Sequence, residues 1–370
     1  MTSALKRALL LAVLPITLTA TQVPASAAPA QAGTVLATLD ERQDLRQECQ
    51  QHPEAEQAQG WIKSRFESCH RTHQSLVVVR KGTLERIGTL AFDEWILGFA
   101  YDGDRRVDYV ASIENIVVSR EAPDADPTTW SLEMRLSAAT VNSAGTITNP
   151  NQTRSDLLGA WDTKPQWVVT YTSPEQGATD PYGIVNGNVL VNLAAFGPNT
   201  DPWQDPLTRY SNIRFDSAGA VAGKARGTVF TQAKVVVPFS LSSPTYPQSA
   251  RHYSDALTNP VTTFPSTLGK NVPGATTPLH RTLNTATQDA NNAAARKTCD
   301  DVWGPYDGTL LNCDEYPFAS TQEGAAKGDG NYSARLIDAG DNQAAGRWLN
   351  SNYTLNRILD GDAFYIAITP

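Results

Sequence analysis

The sequence predicts two folded parts in series: a β-rich domain, sandwich- or barrel-like, and then a smaller α+β domain. Three observations carry this. Residues 75–241 contain eight strand-like stretches divided by turn signals, with almost no helical pattern. A stretch rich in Pro, Ser and Thr follows, with prolines at 244, 247, 260, 265, 273 and 278. Behind it, helix-like and strand-like stretches mix within about 90 residues.

Taken in order, the chain opens with a leader. Lys6 and Arg7 precede an apolar stretch from Ala8 to Ile16, and Ala25-Ser26-Ala27 is a small-residue cleavage signal. The apolar run is too short to span a bilayer. Residues 1–27 therefore read as a signal peptide, and the mature protein is expected to be secreted and extracellular. Residues 28–74 form an N-terminal segment, rich in Gln, Glu and Arg over 41–70 and expected to be helical. The β-rich domain is placed at 75–245, with strands over 75–80, 89–101, 108–119, 129–138, 166–171, 187–193, 210–215 and 228–241. Trp130, Leu132, Met134 and Leu136 alternate with polar residues and mark one face of a half-buried strand. Residues 246–279 read as a Pro-rich linker. In the last domain, 280–370, an Ala-rich helix is expected over 283–296, strands over 309–315 and 332–338, a helix over 342–353 capped by Asp341, and a closing strand over 364–368.

Charge and cysteines narrow the class. The formal net charge is −8, which argues against a protein held to nucleic acid by a broad basic surface. It leaves room for an enzyme that meets phosphates through a bound cation and a few basic side chains. The four cysteines fall in two local pairs, as an exported chain with two disulfides would have them. Three connectivities exist; proximity favours Cys49–Cys69 and Cys299–Cys313.

The residues that carry chemistry cluster near the end. Asp314 and Glu315 are adjacent on a predicted strand, so one can face a cleft while the other meets structure. Glu323 follows nine residues after Asp314, and Asp341-Asn342 opens the next helix. Carboxylate and amide oxygens of this kind are hard ligands suited to Mg²⁺ or Mn²⁺. Adjacent residues on a strand are poorly placed to flank one glycosidic bond, which counts against glycan hydrolysis.

Three short boxes go further: Asp314-Glu315-Tyr316-Pro317-Phe318-Ala319, then Glu323-Gly324-Ala325, then Asp341-Asn342-Gln343-Ala344-Ala345-Gly346. In this order they resemble the NucA/NucB family of bacterial secreted deoxyribonucleases, over roughly 280–370. The region upstream of the first box, and the cysteine positions, differ from the short members of that family. The resemblance implies a ββα-metal-like core, a β-hairpin then a helix around one divalent cation, Mg²⁺ or Mn²⁺. It implies DNA as substrate and metal-dependent phosphodiester hydrolysis with little sequence specificity. On this reading Asp314 is the general base, Asn342 a metal ligand, and Glu323 a ligand or its neighbour. Glu315 orients a neighbour or serves the structure, and Arg335, Arg347 and Lys327 are candidates for phosphate contact. The competing reading is an extracellular binding or adhesion protein that acts through the β-rich domain and carries an inactive nuclease-like domain.

Overall fold

The computed structural model describes residues 36–370 apart from 142–143 and 176–179; the leader read over 1–27 lies outside the described residues. Helix α1 (Leu39–Cys49) is started by Thr38, whose hydroxyl accepts from the Glu41 N–H while the Glu41 carboxylate accepts from the Thr38 N–H. Two amides that a helix start leaves open are thereby satisfied. The helical segment expected up to residue 74 ends here instead. A short strand β1 (Trp61–Ile62) and the long β2 (Glu67–Val79) follow. β2 pairs with β3 (Arg86–Ala100) from Glu67↔Phe99 to Val79↔Arg86, and this ladder outweighs the helix propensity of the local sequence. The disulfide Cys49–Cys69 accordingly ties α1 to a strand.

Next come β4 (Arg106–Arg120), β5 (Ser131–Thr140), β6 (Asn151–Leu157), the short helix α2 (Leu158–Thr163) and β7 (Gln166–Thr172). Then β8 (Val185–Phe196), β9 (Trp203–Gln204), β10 (Thr208–Asp216) and β11 (Gly227–Phe230) complete the first part. They make two open sheets, β1-β2-β3-β4-β7 and β11-β10-β8-β5-β6, with β9 on β8. One core lies between them: Phe92, Ile96, Tyr109 and Ile113 from the first meet Leu132, Met134, Val191 and Phe215 from the second. This is a layered arrangement, not a closed barrel. The alternation at Trp130, Leu132, Met134 and Leu136 does mark a core face, since all four are buried.

The chain then leaves the sandwich earlier than the proline content suggests. The strand expected over 228–241 is two strands, β11 and β12 (Val236–Ser240). The stretch expected to be a linker at 246–279 holds helix α3 (Pro247–Thr258), whose Ala250, Tyr253 and Ala256 are buried. Then follow β13 (Leu279–His280), α4 (Thr285–Trp303), β14 (Leu311–Tyr316), β15 (Ser333–Asp338), α5 (Ala339–Leu355) and β16 (Ala363–Thr369). β16 pairs in parallel with β12 and antiparallel with β13. β14 and β15 form an antiparallel hairpin. Phe239 of β12, Tyr253 of α3, Tyr316 of β14, Leu349 of α5 and Phe364 of β16 share the second core. Asp338 caps α5, and the expected cap, Asp341, lies inside the helix.

The two parts are continuous within one compact unit, Leu36–Pro370. A buried ionic seam joins them. Arg65 and Arg214 of the sandwich pair with Asp362 at 3.2 and 2.7 Å, and Arg357 of the second part pairs with Asp216 and Asp102 of the first. Burial pushes the Asp362 carboxyl upward, but Arg214 and Arg65 outweigh it and hold it below the ordinary value. Arg357 is fully buried and packs where glycine leaves room: a Cβ at Gly227 would lie 2.5 Å from its Nε. No described helix is long and apolar enough to cross a membrane.

Candidate functional site

The acidic pair sits on β14, where the pleat sends Asp314 and Glu315 to opposite faces. Both are nonetheless buried. The disulfide Cys299–Cys313 fixes the residue before Asp314 to helix α4, with the two Cα atoms 6.0 Å apart.

Asp314 is held on both oxygens. Its Oδ2 lies 2.8 Å from Nδ1 of His252, and its Oδ1 accepts from the Tyr253 hydroxyl at 3.2 Å. The His252 Nε2 lies 2.7 Å from Ser333 Oγ on the partner strand. A neutral imidazole that donates from Nδ1 to Asp314 can accept from the serine at Nε2, so one fully buried ring bridges both strands of the hairpin. Burial, and then the Asp314 charge, push the Tyr253 phenol well above its ordinary value and keep it a donor.

Glu315 is in a different state. Its Oε2 is buried with no hydrogen-bond partner. Burial first, and the neighbouring Asp314 charge second, push its carboxyl up to about 8, against the Ala319 N–H and the Arg296 charge. A carboxyl held this way keeps its proton at neutral pH unless a cation arrives to take its place.

Asp314 and Glu315 are among the residues that line a cleft of about 370 Å³ between α4 and α5. Helix α4 contributes Gln288 and Asn292; α5 contributes Asn342, Gly346, Leu349, Asn350 and Tyr353; Arg281 lies just after β13. A Cβ at Gly346 would meet nothing within 4 Å, so this helix face leaves open space. Asn342 and Asp341 part company, because successive helical residues point about 100° apart. Asp341 turns to α3 and accepts from the backbone N–H groups of Gln248 and Ser249 at 2.7 and 2.9 Å, supplying a cap that α3 lacks locally.

Of the residues singled out in the sequence, the cleft thus unites Asp314, Glu315 and Asn342. Glu323 does not line it. Both its oxygens are taken by His280, through the backbone N–H at 2.8 Å and Nδ1 at 2.7 Å, and it faces a separate pocket with Lys327. Lys327 pairs with Asp329 at 3.1 Å. Arg335 stands opposite Asp314 in the hairpin register but pairs with Asp255 at 2.8 Å, outside the cleft. Arg347 is exposed and adjoins Gly346 without lining the cleft. His252, Tyr253, Arg281, Gln288 and Asn292 are additions that sequence reading missed. The signal that could have exposed the first two is the helical spacing of Ala250, Tyr253 and Ala256, hidden between prolines.

Among the described residues no group of three or more His, Cys, Asp or Glu side chains is arranged to hold a metal ion. Mg²⁺ does not need one. It commonly rests on one or two carboxylates, keeps several waters and completes its shell with substrate phosphates. The orphaned Glu315 oxygen and the Asn342 amide, on one cleft, fit that demand.

Residues 268–367 match the family model Deoxyribonuclease NucA/NucB. No curated protein and no solved structure matches the chain. The matched stretch contains β13 to most of β16 but not β12 or α3, so His252 and Tyr253 lie outside it.

Proposed function

We propose that the protein is a secreted, metal-dependent endonuclease that hydrolyses phosphodiester bonds of extracellular DNA with little sequence specificity. The observation that carries this is the cleft itself. Within the segment matched to NucA/NucB deoxyribonucleases, a residue with a buried carboxylate and a free oxygen, a second with a carboxylate held by histidine, and an asparagine line one space. The order β14, β15, α5 around it supports a ββα-metal-like core.

Glu315 and Asn342 would hold the cation, and the Glu323 role expected from sequence passes to Glu315. When bound, Mg²⁺ or Mn²⁺ supplies neutralisation of the charge that builds on the phosphate oxygens. Asp314 accepts the proton of the attacking water at its carboxylate. His252 and Tyr253 orient that carboxylate, while the complete burial of His252 keeps it from touching substrate. The amides of Gln288, Asn292 and Asn350 offer neutral hydrogen bonds to a strand without selecting a base. The leader and both disulfides support export to an oxidising compartment.

Incubating mature protein with plasmid DNA, with Mg²⁺ or Mn²⁺ and then with chelator, tests the reading. Nicking and linearisation that chelator stops are expected. Intact plasmid under all conditions would return the β-rich domain to first place as a binding module.

A further inference from the structure

The expected phosphate contacts, Arg335, Arg347 and Lys327, do not line the cleft, yet a substrate with one charge per nucleotide needs a cationic hold. Among the residues that line the cleft, Arg281 is the one basic side chain. It is buried, and its guanidinium lies over the Tyr353 ring at 4.4 Å. Its Nη1 donates to two backbone carbonyls, Val221 of the sandwich at 3.1 Å and Ile358 of the second part. Its Nε is buried without a partner, and no carboxylate lies within ion-pair distance among the described residues.

The other buried arginines show how unusual this is. Arg65, Arg214 and Arg357 each have an aspartate. Arg105 lacks one, but its three nitrogens are occupied by carbonyls and hydroxyls of Ser173, Pro174, Gly183 and Ser217. Burying a cation without an anion is costly, and the cost is recovered when an anion binds. With Nη1 committed and Nε closed off from solvent, Nη2 is the guanidinium nitrogen left to donate to a phosphate.

We propose that Arg281 is the phosphate anchor of the cleft, gripping a backbone phosphate of the DNA strand while carbonyls from both parts of the molecule fix its orientation. The proposal rests on the nuclease reading. It also gives the β-rich part a task, since the Val221 carbonyl is one of the two that aim the guanidinium.

The test uses the full mature protein in chelator, with a labelled duplex oligonucleotide and binding measured by anisotropy across a salt series. Wild type, R281Q, R281K and R86Q are compared; Arg86 pairs with Glu121 on the sandwich. Losing one phosphate contact should make the slope of log affinity against log salt shallower by about 0.9. R281Q should show that change and bind roughly tenfold more weakly at low salt, the order expected of one charge-assisted contact. R86Q should keep the wild-type slope. R281K keeps the charge but loses the fork, so its slope should hold while kcat/KM for cleavage falls. An R281Q variant that folds, as judged by its thermal midpoint, and keeps the wild-type slope overturns the anchor. Should R281Q not fold, R281K decides: wild-type kcat/KM overturns the proposal, and a fall with the thermal midpoint preserved supports it. A wild type that cuts no DNA with Mg²⁺ or Mn²⁺ overturns the nuclease reading itself, whereas a cutting wild type with an indifferent R281Q overturns only the anchor.

Discussion

Asp314 and Glu315 are neighbours in sequence and opposites in environment. Asp314 has both oxygens engaged, whereas Glu315 has one oxygen with nothing to bind. The roles therefore separate under substitution. On the proposed mechanism Asp314→Asn preserves shape and removes the base, so kcat should fall about 10²–10⁴-fold with little change in cation affinity. Asn342→Ala should weaken cation binding, and added Mg²⁺ or Mn²⁺ should restore part of the rate. Titrating metal against rate in both variants checks this; rescue of the Asp314 variant by excess metal would make Asp314 a ligand instead. Glu315 gives a pH signature. With its carboxyl at about 8, a cation held by Glu315 as proposed would have to displace a proton below that pH. Mn²⁺ affinity measured by calorimetry should therefore rise about tenfold per pH unit from 6 towards 8 and level off above. In Glu315→Gln that dependence should vanish. A flat wild-type profile across this range would remove Glu315 from the cation site. Stability follows the opposite sign: a folded-state value above the unfolded one means that cation-free protein loses stability as pH rises from about 4.5 towards 8.

At the scale of elements, the hairpin and α5 were legible because their signals are local. Strand alternation, turn glycines and the three boxes all lie within about 40 residues. Helix α3 was not legible. Pro247 occupies its first turn, where the missing N–H costs nothing, and Pro260 follows its end, so prolines that bracket a helix resembled those of a linker. Its N-terminal amides are capped by Asp341, more than 90 residues away, and its histidine meets Asp314 across 62 residues. No sequence window contains either relation. The Cys299–Cys313 bridge was legible from spacing alone, and its place beside Asp314 predicts a double effect. Closing a loop of this size contributes about 3 kcal/mol in the chain-entropy model. A Cys299→Ser/Cys313→Ser protein should lose about that much in chemical denaturation and lose cleavage as well, because β14 is no longer fixed to α4. Stability lost with kcat unchanged would show that the bridge staples the fold without holding the site.

For the whole molecule, the stretch read as a linker at 246–279 holds helix α3, and the chain passes from the first core to the second between Phe230 and Val235. β12 lies in the sheet with β16, and α3 packs under the acidic strand. A chain shortened to begin at residue 260 therefore lacks β12, His252 and Tyr253, although it keeps the whole family-matched stretch. It should be poorly folded and should retain little cleavage, measured by circular dichroism and plasmid nicking. A fully active fragment would show that the second core tolerates loss of a strand and a helix. A chain beginning near 232 keeps these elements but loses the Val221 carbonyl and the partners of Arg357, so it should fold less stably and bind DNA more weakly.

The seam around Arg357 also bears on how the gene can vary. The side chain has no room unless residue 227 is glycine, and no compensation for its charge unless residues 216 and 102 are acidic. These four positions lie in two parts of the chain and meet in one contact. Among natural relatives that retain both parts, loss of the arginine should accompany loss of the glycine constraint and of the aspartates. Where recombination has joined this C-terminal part to a different N-terminal one, position 357 should no longer be arginine. An aligned set of relatives in which residue 357 and residue 227 vary independently would contradict that expectation.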